Sequence, residues 1–268
     1  MTIAEWLVPA MIKLRDAGVD SPRRDCLVLL EDAIQKDRAW VVAHPEHALD
    51  PKVIQPLNKF IIRRTNREPL AYIRGKAWFY GRFFEVNPNT LIPRPESENF
   101  IELLKNIKPQ KIIDIGTGSG ALAITAKLEL PESKIVATDT SSAALAVAQK
   151  NTALHNTDIQ FVFGSLLDPI KNEQLEDSCV IANLPYVPKN LITSPEITQE
   201  PPEALFSGID GLEHYQNFWQ QLTERSQKPQ HILIESLESQ HTALKALAHK
   251  AGYKLDKTSI LIQQFSHI

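Results

Sequence analysis

Cysteine is nearly absent: Cys26 and Cys179 are the only two in 268 residues, too few for a disulfide framework, and neither sits in a CxxC or other metal-ligand spacing. They read as reduced, buried thiols, and no metal site is expected. His44, His47, His155 and His249 are scattered without metal spacing and support the same conclusion. Basic charge is not in excess either. Twenty-nine Lys and Arg against 32 Asp and Glu leave a net charge of −3, so nothing draws the whole chain toward a phosphate backbone. No window approaches the ~18 consecutive apolar residues of a membrane span. The first sixteen residues place Glu5, Lys13, Arg15 and Asp16 among apolar ones, unlike a signal peptide. Together these absences predict a cytoplasmic protein with no membrane partner and no direct nucleic-acid partner.

Hydrophobic residues make up 43% and charged residues 23%, the ordinary balance of a folded globular chain. The length exceeds one common domain of ~100 to 200 residues, which allows a large domain with a small one beside it. From Thr2 to Arg67 apolar residues recur at helical spacing, as in Ile3, Trp6, Leu7, Ala10 and Leu14. Ser21-Pro22 and Asp50-Pro51 both read as helix starts. Arg63, Arg64 and Arg67 cluster near the end of this region and are expected to form a solvated helix face, with contact to an RNA-binding partner or an acidic surface as the alternative. Ala71 to Val86 turns to β-branched and aromatic residues around Gly75 and Gly81, a hairpin pattern. Three prolines between Asn87 and Pro95 then stiffen the chain before Pro95, Glu96 and Glu98 open a helix. After Lys108 short apolar strands alternate with helices, which predicts a doubly wound parallel sheet of the α/β class. The domain boundaries expected are 1–70 for a helical unit, 71–88 for a hairpin linker and 89–268 for the sheet.

DIGTGSG at 114–120 follows one apolar strand and precedes an apolar helix. Gly116, Gly118 and Gly120 let the backbone turn sharply and approach a ligand, with Thr117 and Ser119 between them and helix N–H donors nearby. The pattern is not the GxGxxG that cradles a pyrophosphate. Asp139 ends the next strand and can hold ribose hydroxyls in a nicotinamide or a sulfonium cofactor. S-adenosylmethionine has no phosphate to bind and asks for close backbone contact plus a ribose acid, which this loop and Asp139 supply. Asp114 can face the cofactor's ammonium group or stabilise the turn, and the sequence leaves both open.

The strand SCVIA runs into Asn183-Leu184-Pro185-Tyr186, on the sheet edge where ligands of open α/β folds bind. An amide or exocyclic adenine nitrogen is a poor nucleophile because its lone pair is delocalised. Acceptors on its N–H hydrogens favour the positive charge that builds as it attacks a sulfonium methyl. The Asn183 side-chain oxygen and the Leu184 carbonyl are the candidate acceptors. Pro185 biases Leu184 toward extended backbone, and Tyr186 can pack its ring on a planar group. No general base is required, so positioning carries most of the catalysis.

With these motifs go SPRRDCLVLL at 21–30, RRTNREPLAYIRG at 63–75, TLIPRPESE at 90–98 and EPPEALFSGIDGL at 200–212. Along nearly its whole length the chain resembles the release factor glutamine methyltransferases (PrmC/HemK). The resemblance implies a class I, Rossmann-like methyltransferase domain with a seven-stranded, mostly parallel sheet, and a small N-terminal helical domain joined by a β-hairpin. It implies methyl transfer from S-adenosylmethionine to the side-chain amide nitrogen (N5) of the glutamine in the GGQ motif of peptide chain release factors, by a monomer. It implies cofactor contacts at Gly116, Thr117, Gly118, Ser119, Gly120, Asp139, Leu166 and Asn183. Substrate contacts are implied at Asn183, Leu184, Pro185 and Tyr186, with Asn183, Leu184 and Tyr186 catalytic.

The chain departs from the family pattern at several points. Leu184 replaces the usual first proline of NPPY and loses one ring constraint. Leu166 stands where relatives place an aromatic residue, so apolar packing replaces stacking on adenine. Glu235-Ser236 replaces the usual Glu-Gly, and the late Asp...Gly...Arg pattern is missing from 257–268. Asn-Leu-Pro-Tyr also occurs in ribosomal RNA adenine dimethyltransferases. Two alternatives therefore stay open: an adenine N6-methyltransferase acting on rRNA or DNA, and an inactive homologue that binds cofactor or release factor.

Overall fold

The computed structural model describes residues 1–191 and 194–268. Thr2 starts the first helix with a complete capping box: its hydroxyl accepts from the Glu5 N–H, and the Glu5 carboxylate accepts from the Thr2 N–H. This helix, α1 (Ile3–Asp16), turns Ile3, Trp6, Ala10 and Leu14 inward. It is followed by α2 (Pro22–Ile34), α3 (Arg38–Ala43), α4 (Pro51–Thr65) and α5 (Leu70–Arg74). Asp50 caps α4 by accepting from the Lys52 N–H, whereas Ser21 makes no side-chain cap bond and α2 starts on the fixed φ of Pro22. Their apolar faces share one core that includes Trp6, Leu14, Leu30, Leu57 and Ile61.

The chain divides into two compact units: Met1–Gly75 with Ser194–Gln199, and residues 76–193 with 200–268. Within the first, the arginines expected on a solvated face are paired instead. Arg63 bonds Glu68, the buried Arg64 meets Asp25 at 2.8 Å and Glu196 at 2.9 Å, and Arg67 forks onto Glu196. Asp25 is 1% exposed, and a charge so buried is tolerated only against a partner. Burial pushes the Glu196 carboxyl up, but bonds from Arg67 and Arg64 overcome this and hold its pKa down to about 2. Sequence could not signal this pairing, because Glu196 lies more than 120 residues from both arginines.

The second unit opens with the hairpin β1 (Lys76–Phe79) and β2 (Arg82–Glu85). The hairpin pattern read from Ala71 onward is corrected for its first residues: Ala71–Arg74 are helical, and Gly75 ends α5 in the left-handed conformation at φ +71°. Burial of Tyr72 and Ile73 overrides their β preference. Pro95–Glu98 form a 3-10 turn that leads into α6 (Asn99–Ile107).

The remaining strands are β3 (Lys111–Ile115), β4 (Lys134–Asp139), β5 (Gln160–Phe163), β6 (Ser178–Ala182), β7 (His231–Glu235), β8 (Tyr253–Ser259) and β9 (Ile262–His267). They form one seven-stranded sheet in the order β5-β4-β3-β6-β7-β9-β8. The first five are mutually parallel, and β9 runs antiparallel to both neighbours. The helices between them are α7 (Ala121–Glu129), α8 (Ser142–Leu154), α9 (Asn172–Leu175), α10 (Pro202–Leu205), α11 (Glu213–Glu224) and α12 (His241–Lys250). Two apolar clusters pack against the sheet, one with Phe100, Ile124 and Ile135, the other with Tyr215, Trp219 and Leu244. The expected seven-stranded α/β architecture is therefore present. Strand order reverses between β3 and β6, and that reversal opens a crevice at their carboxyl ends.

Candidate active site

Register places the site. Ile115 pairs with both Thr138 and Ala182, so Gly116, Asp139 and Asn183 leave three adjacent strands at one level. Two clefts meet there. The larger encloses about 820 Å3 up to its mouth and is lined by Gly116, Gly118, Asp139, Leu166, Asn183 and Leu184, among others. The smaller, about 420 Å3, is lined by Arg94, Ser97, Thr117, Ser119 and Asn183. Gly116, Gly118, Leu91 and Asn183 border both.

The glycines divide their work. Gly118 has φ +57°, and a Cβ there would meet nothing within 4 Å, projecting into the space where the clefts join. Gly120 lines neither cleft. A Cβ on it would come within 3.1 Å of Ala148 and Ile124, so its place is the packing of α7 on α8. Part of the loop's own N–H groups is paired within the fold: those of Gly116 and Thr117 with the Thr138 carbonyl, that of Gly118 with Asp139 Oδ2 at 2.8 Å, and that of Gly120 with the Thr117 carbonyl.

Asp139 accepts from Gly118 and, through Oδ1, from the Ser141 N–H. Burial raises its carboxyl pKa while these backbone donors oppose the rise. With a third backbone donor at Thr140, the carboxylate still keeps a lone pair for a hydroxyl. Asp114 is wholly buried and lines neither cleft. Its Oδ2 accepts from the Thr117 hydroxyl, and burial lifts its pKa to about 7. The turn-stabilising role is the one the structure places on it. Leu166 borders the large cleft at φ +47°, a strained setting for a branched apolar residue. These features fit S-adenosylmethionine: glycines without Cβ atoms at the cleft, a carboxylate able to accept from hydroxyls, and an apolar wall.

On the other strand end, Asn183 donates through Nδ2 to Ser97 Oγ at 2.9 Å. Ser97 Oγ donates to Glu235 Oε2 at 2.7 Å, and the Tyr186 hydroxyl donates to Glu235 Oε1 at 2.9 Å. Tyr186 is half-buried and turned toward Glu235, and it lines neither cleft. Burial beside Glu235 pushes its phenol further above the usual range. Leu184 is 3% exposed and donates its N–H to the Tyr215 hydroxyl, a bond that proline at this position cannot make. The ring constraint lost at Leu184 is thus replaced by a hydrogen bond. Among the described residues no donor reaches Asn183 Oδ1 or the Leu184 carbonyl.

Several residues outside the predicted site set position it, and of these only Glu200 falls in a stretch that the sequence singled out, EPPEALFSGIDGL. Gln240 bridges the Tyr186 and Asp210 carbonyls at 2.8 and 2.9 Å, directly over Gly211. Glu200 is 2 to 3% exposed and ties down TLIPRPESE, accepting from the Ile92 N–H and from Arg94. Asn151 holds the Ser119 carbonyl at 2.9 Å. His214 lines the large cleft with Nδ1 against Ser207 Oγ, and burial lowers its pKa.

Comparison with known proteins agrees with this arrangement. A family model described as the PrmC N-terminal domain matches residues 5–75, and one described as the methyltransferase small domain matches residues 95–205. Among solved structures, one titled as the hMettl16 catalytic domain in complex with an RNA hairpin superimposes with a TM-score of 0.56 at 14% identity. It covers 81% of this chain and 79% of its own, a likeness of fold. A methyltransferase from Pyrococcus furiosus gives 0.50 at 16% identity, covering 70% and 88%. Curated relatives are much nearer in sequence. A release factor glutamine methyltransferase from Staphylococcus aureus is 36% identical, covering 91% of this chain and 88% of its own. One from Neisseria gonorrhoeae is 32% identical over 94% and 91%. With matches of that one name running the length of both units, the chain belongs to the release factor glutamine methyltransferase family.

Proposed function

We propose that this protein transfers a methyl group from S-adenosylmethionine to the side-chain amide nitrogen of the GGQ glutamine in a peptide chain release factor. The observation that carries the reading is the pair of acceptors, Asn183 Oδ1 and the Leu184 carbonyl, that no donor among the described residues reaches, beside the clefts that Gly116 and Gly118 border. The cofactor supplies an electrophilic methyl on a sulfonium, which departs as a neutral thioether when the N–C bond forms and the S–C bond breaks. The two acceptors hold the amide N–H hydrogens and so favour positive charge on the nitrogen as the new bond forms. The nitrogen then returns to neutrality by losing one proton to water, so no side chain has to act as base.

In this reading Gly116, Thr117, Gly118, Ser119, Asp139 and Leu166 serve the cofactor, Gly120 keeps their loop packed, and Asn183 to Tyr186 serve the glutamine. Residues 1–70 dock the release factor, 71–88 link, and 89–268 carry the chemistry, in a cytoplasmic monomer without direct nucleic-acid contact. The net charge of −3 supports the last point. Labelled S-adenosylmethionine offered with a purified release factor and, separately, with ribosomal RNA tests the acceptor class. Label is expected in the protein. Label in adenine alone would replace this reading with the nucleic-acid one, and cofactor binding with no product in either would mark an inactive homologue.

A further inference from the structure

Asn183 can serve as an acceptor only if its amide is turned the right way round, and the two ends of an amide are nearly equal in shape. What turns it lies behind the site. Glu235, at the end of β7, is an acceptor when ionised, so the Ser97 hydroxyl 2.7 Å away must spend its single hydrogen on it. Ser97 then has only lone pairs left for Asn183, which must present Nδ2 at 2.9 Å. Oδ1 is thereby directed to the opposite side, toward the clefts that Asn183 borders. Ser97 and Glu235 are 3% and 1% exposed, so water does not compete for these bonds.

Resting on the glutamine-methylation reading, we propose that Ser97 and Glu235 are positioning residues: the buried Glu235 carboxylate sets the polarity of Ser97, and the two together, both facing the NH2 end of the Asn183 amide, set its orientation. Neither touches the reacting atoms. The Tyr186 hydroxyl donates to the other Glu235 oxygen, so one carboxylate holds both ends of the Asn183–Tyr186 loop.

The relay reverses when Glu235 becomes a donor. In a Glu235→Gln variant, Oε1 still accepts from Tyr186 while Nε2 donates to Ser97. The serine hydrogen then turns to Asn183, whose amide rotates to accept it and offers Nδ2 to the substrate. Protonation of Glu235 does the same. Burial pushes its carboxyl pKa above the usual range, the bonds from Ser97, Tyr186 and the Asn183 amide oppose this, and the neighbouring charge of Glu96 adds to it. Arg94 and Tyr215 are the other ionisable groups at this locus.

The test combines turnover with amide orientation. Glu235→Gln and Ser97→Ala are expected to lower kcat by roughly 10²-fold, the size of losing one preorganised polar group, with cofactor affinity by calorimetry within twofold of wild type. Ser97→Thr keeps the hydroxyl and restores kcat to within a few-fold. Wild-type kcat should fall on an acid limb that Glu235→Gln lacks. By NMR, the Asn183 side-chain NH2 protons should show NOEs to Ser97 in wild type and lose them in Glu235→Gln. Wild-type kcat in Glu235→Gln, or an unrotated amide, overturns the relay. If the wild-type protein yields no methylglutamine, the functional reading fails instead, and the NOE comparison still decides the relay.

Discussion

Gly211→Ala should damage the Tyr186 loop far more than a glycine-to-alanine change usually does. A Cβ at this position would lie 2.1 Å from the Tyr186 carbonyl oxygen and 2.3 Å from Gln240 Nε2, where ordinary contact begins at 3.4 Å. The shortfall against the Tyr186 oxygen is 1.3 Å, and backbone must yield it. Two costs add. An L-residue at φ +78° costs about 1 to 2 kcal/mol. Displacing the Gln240 amide from the Tyr186 and Asp210 carbonyls costs about 1 kcal/mol for each bond. A loss of about 3 to 4 kcal/mol in urea unfolding is therefore expected. Because a 1 Å misplacement costs roughly 10² in rate, kcat for release factor methylation should fall by about that factor. Cofactor affinity should change little, since Gly118 and Asp139 lie on other strand ends. Gly75→Ala is the control: φ is +71° but nothing lies within 4 Å, so only the conformational cost of about 1 to 2 kcal/mol applies. Equal stability losses in the two variants, or Gly211→Ala turning over within twofold of wild type, would refute the reasoning.

Two other substitutions separate the roles assigned to the site. Asp139→Ala removes the acceptor for Gly118 and Ser141 along with the ribose acid, and should weaken cofactor binding by roughly 10- to 100-fold in calorimetry, from charged hydrogen bonds of about 1.5 to 3 kcal/mol; unchanged affinity would remove Asp139 from the site. Leu184→Pro forfeits the bond to Tyr215, about 1 kcal/mol, and gains about 0.4 to 1 kcal/mol of chain stiffness, so stability and kcat should stay close to wild type. A tenfold loss of turnover would mean that the Leu184 N–H matters for more than holding the loop.

Periodicity and turn chemistry made the helices, the parallel sheet and the two loops that border its clefts legible, because those signals are local. DIGTGSG, Asp139 and Asn183 converge for the same reason: each ends a strand, and strand ends of neighbouring parallel strands meet. What could not be read depends on contacts distant in sequence. Ser97 meets Glu235 across 138 residues and Gln240 meets Tyr186 across 54, and no residue pattern encodes such pairs. The start of the hairpin at Ala71 misled because Tyr72 and Ile73 prefer strands but are buried in a short helix. The basic cluster at Arg63 to Arg67 looked solvated because its acids, Asp25 and Glu196, lie 39 and 129 residues from their partners. Gly120 shared a motif with two glycines that border the clefts, and only the packing of Ala148 and Ile124 against it shows its separate task.

The central claim is that the Asn183 side-chain oxygen and the Leu184 carbonyl activate a glutamine amide. Its most direct test is mass mapping of the GGQ peptide after incubation of a release factor with S-adenosylmethionine and either wild-type or Asn183→Ala protein, with folding and cofactor binding measured alongside. The account predicts a single methyl on the glutamine side chain with wild type, and almost none with a variant that remains folded. A methyl on any other residue, or an undiminished yield from Asn183→Ala, would contradict it.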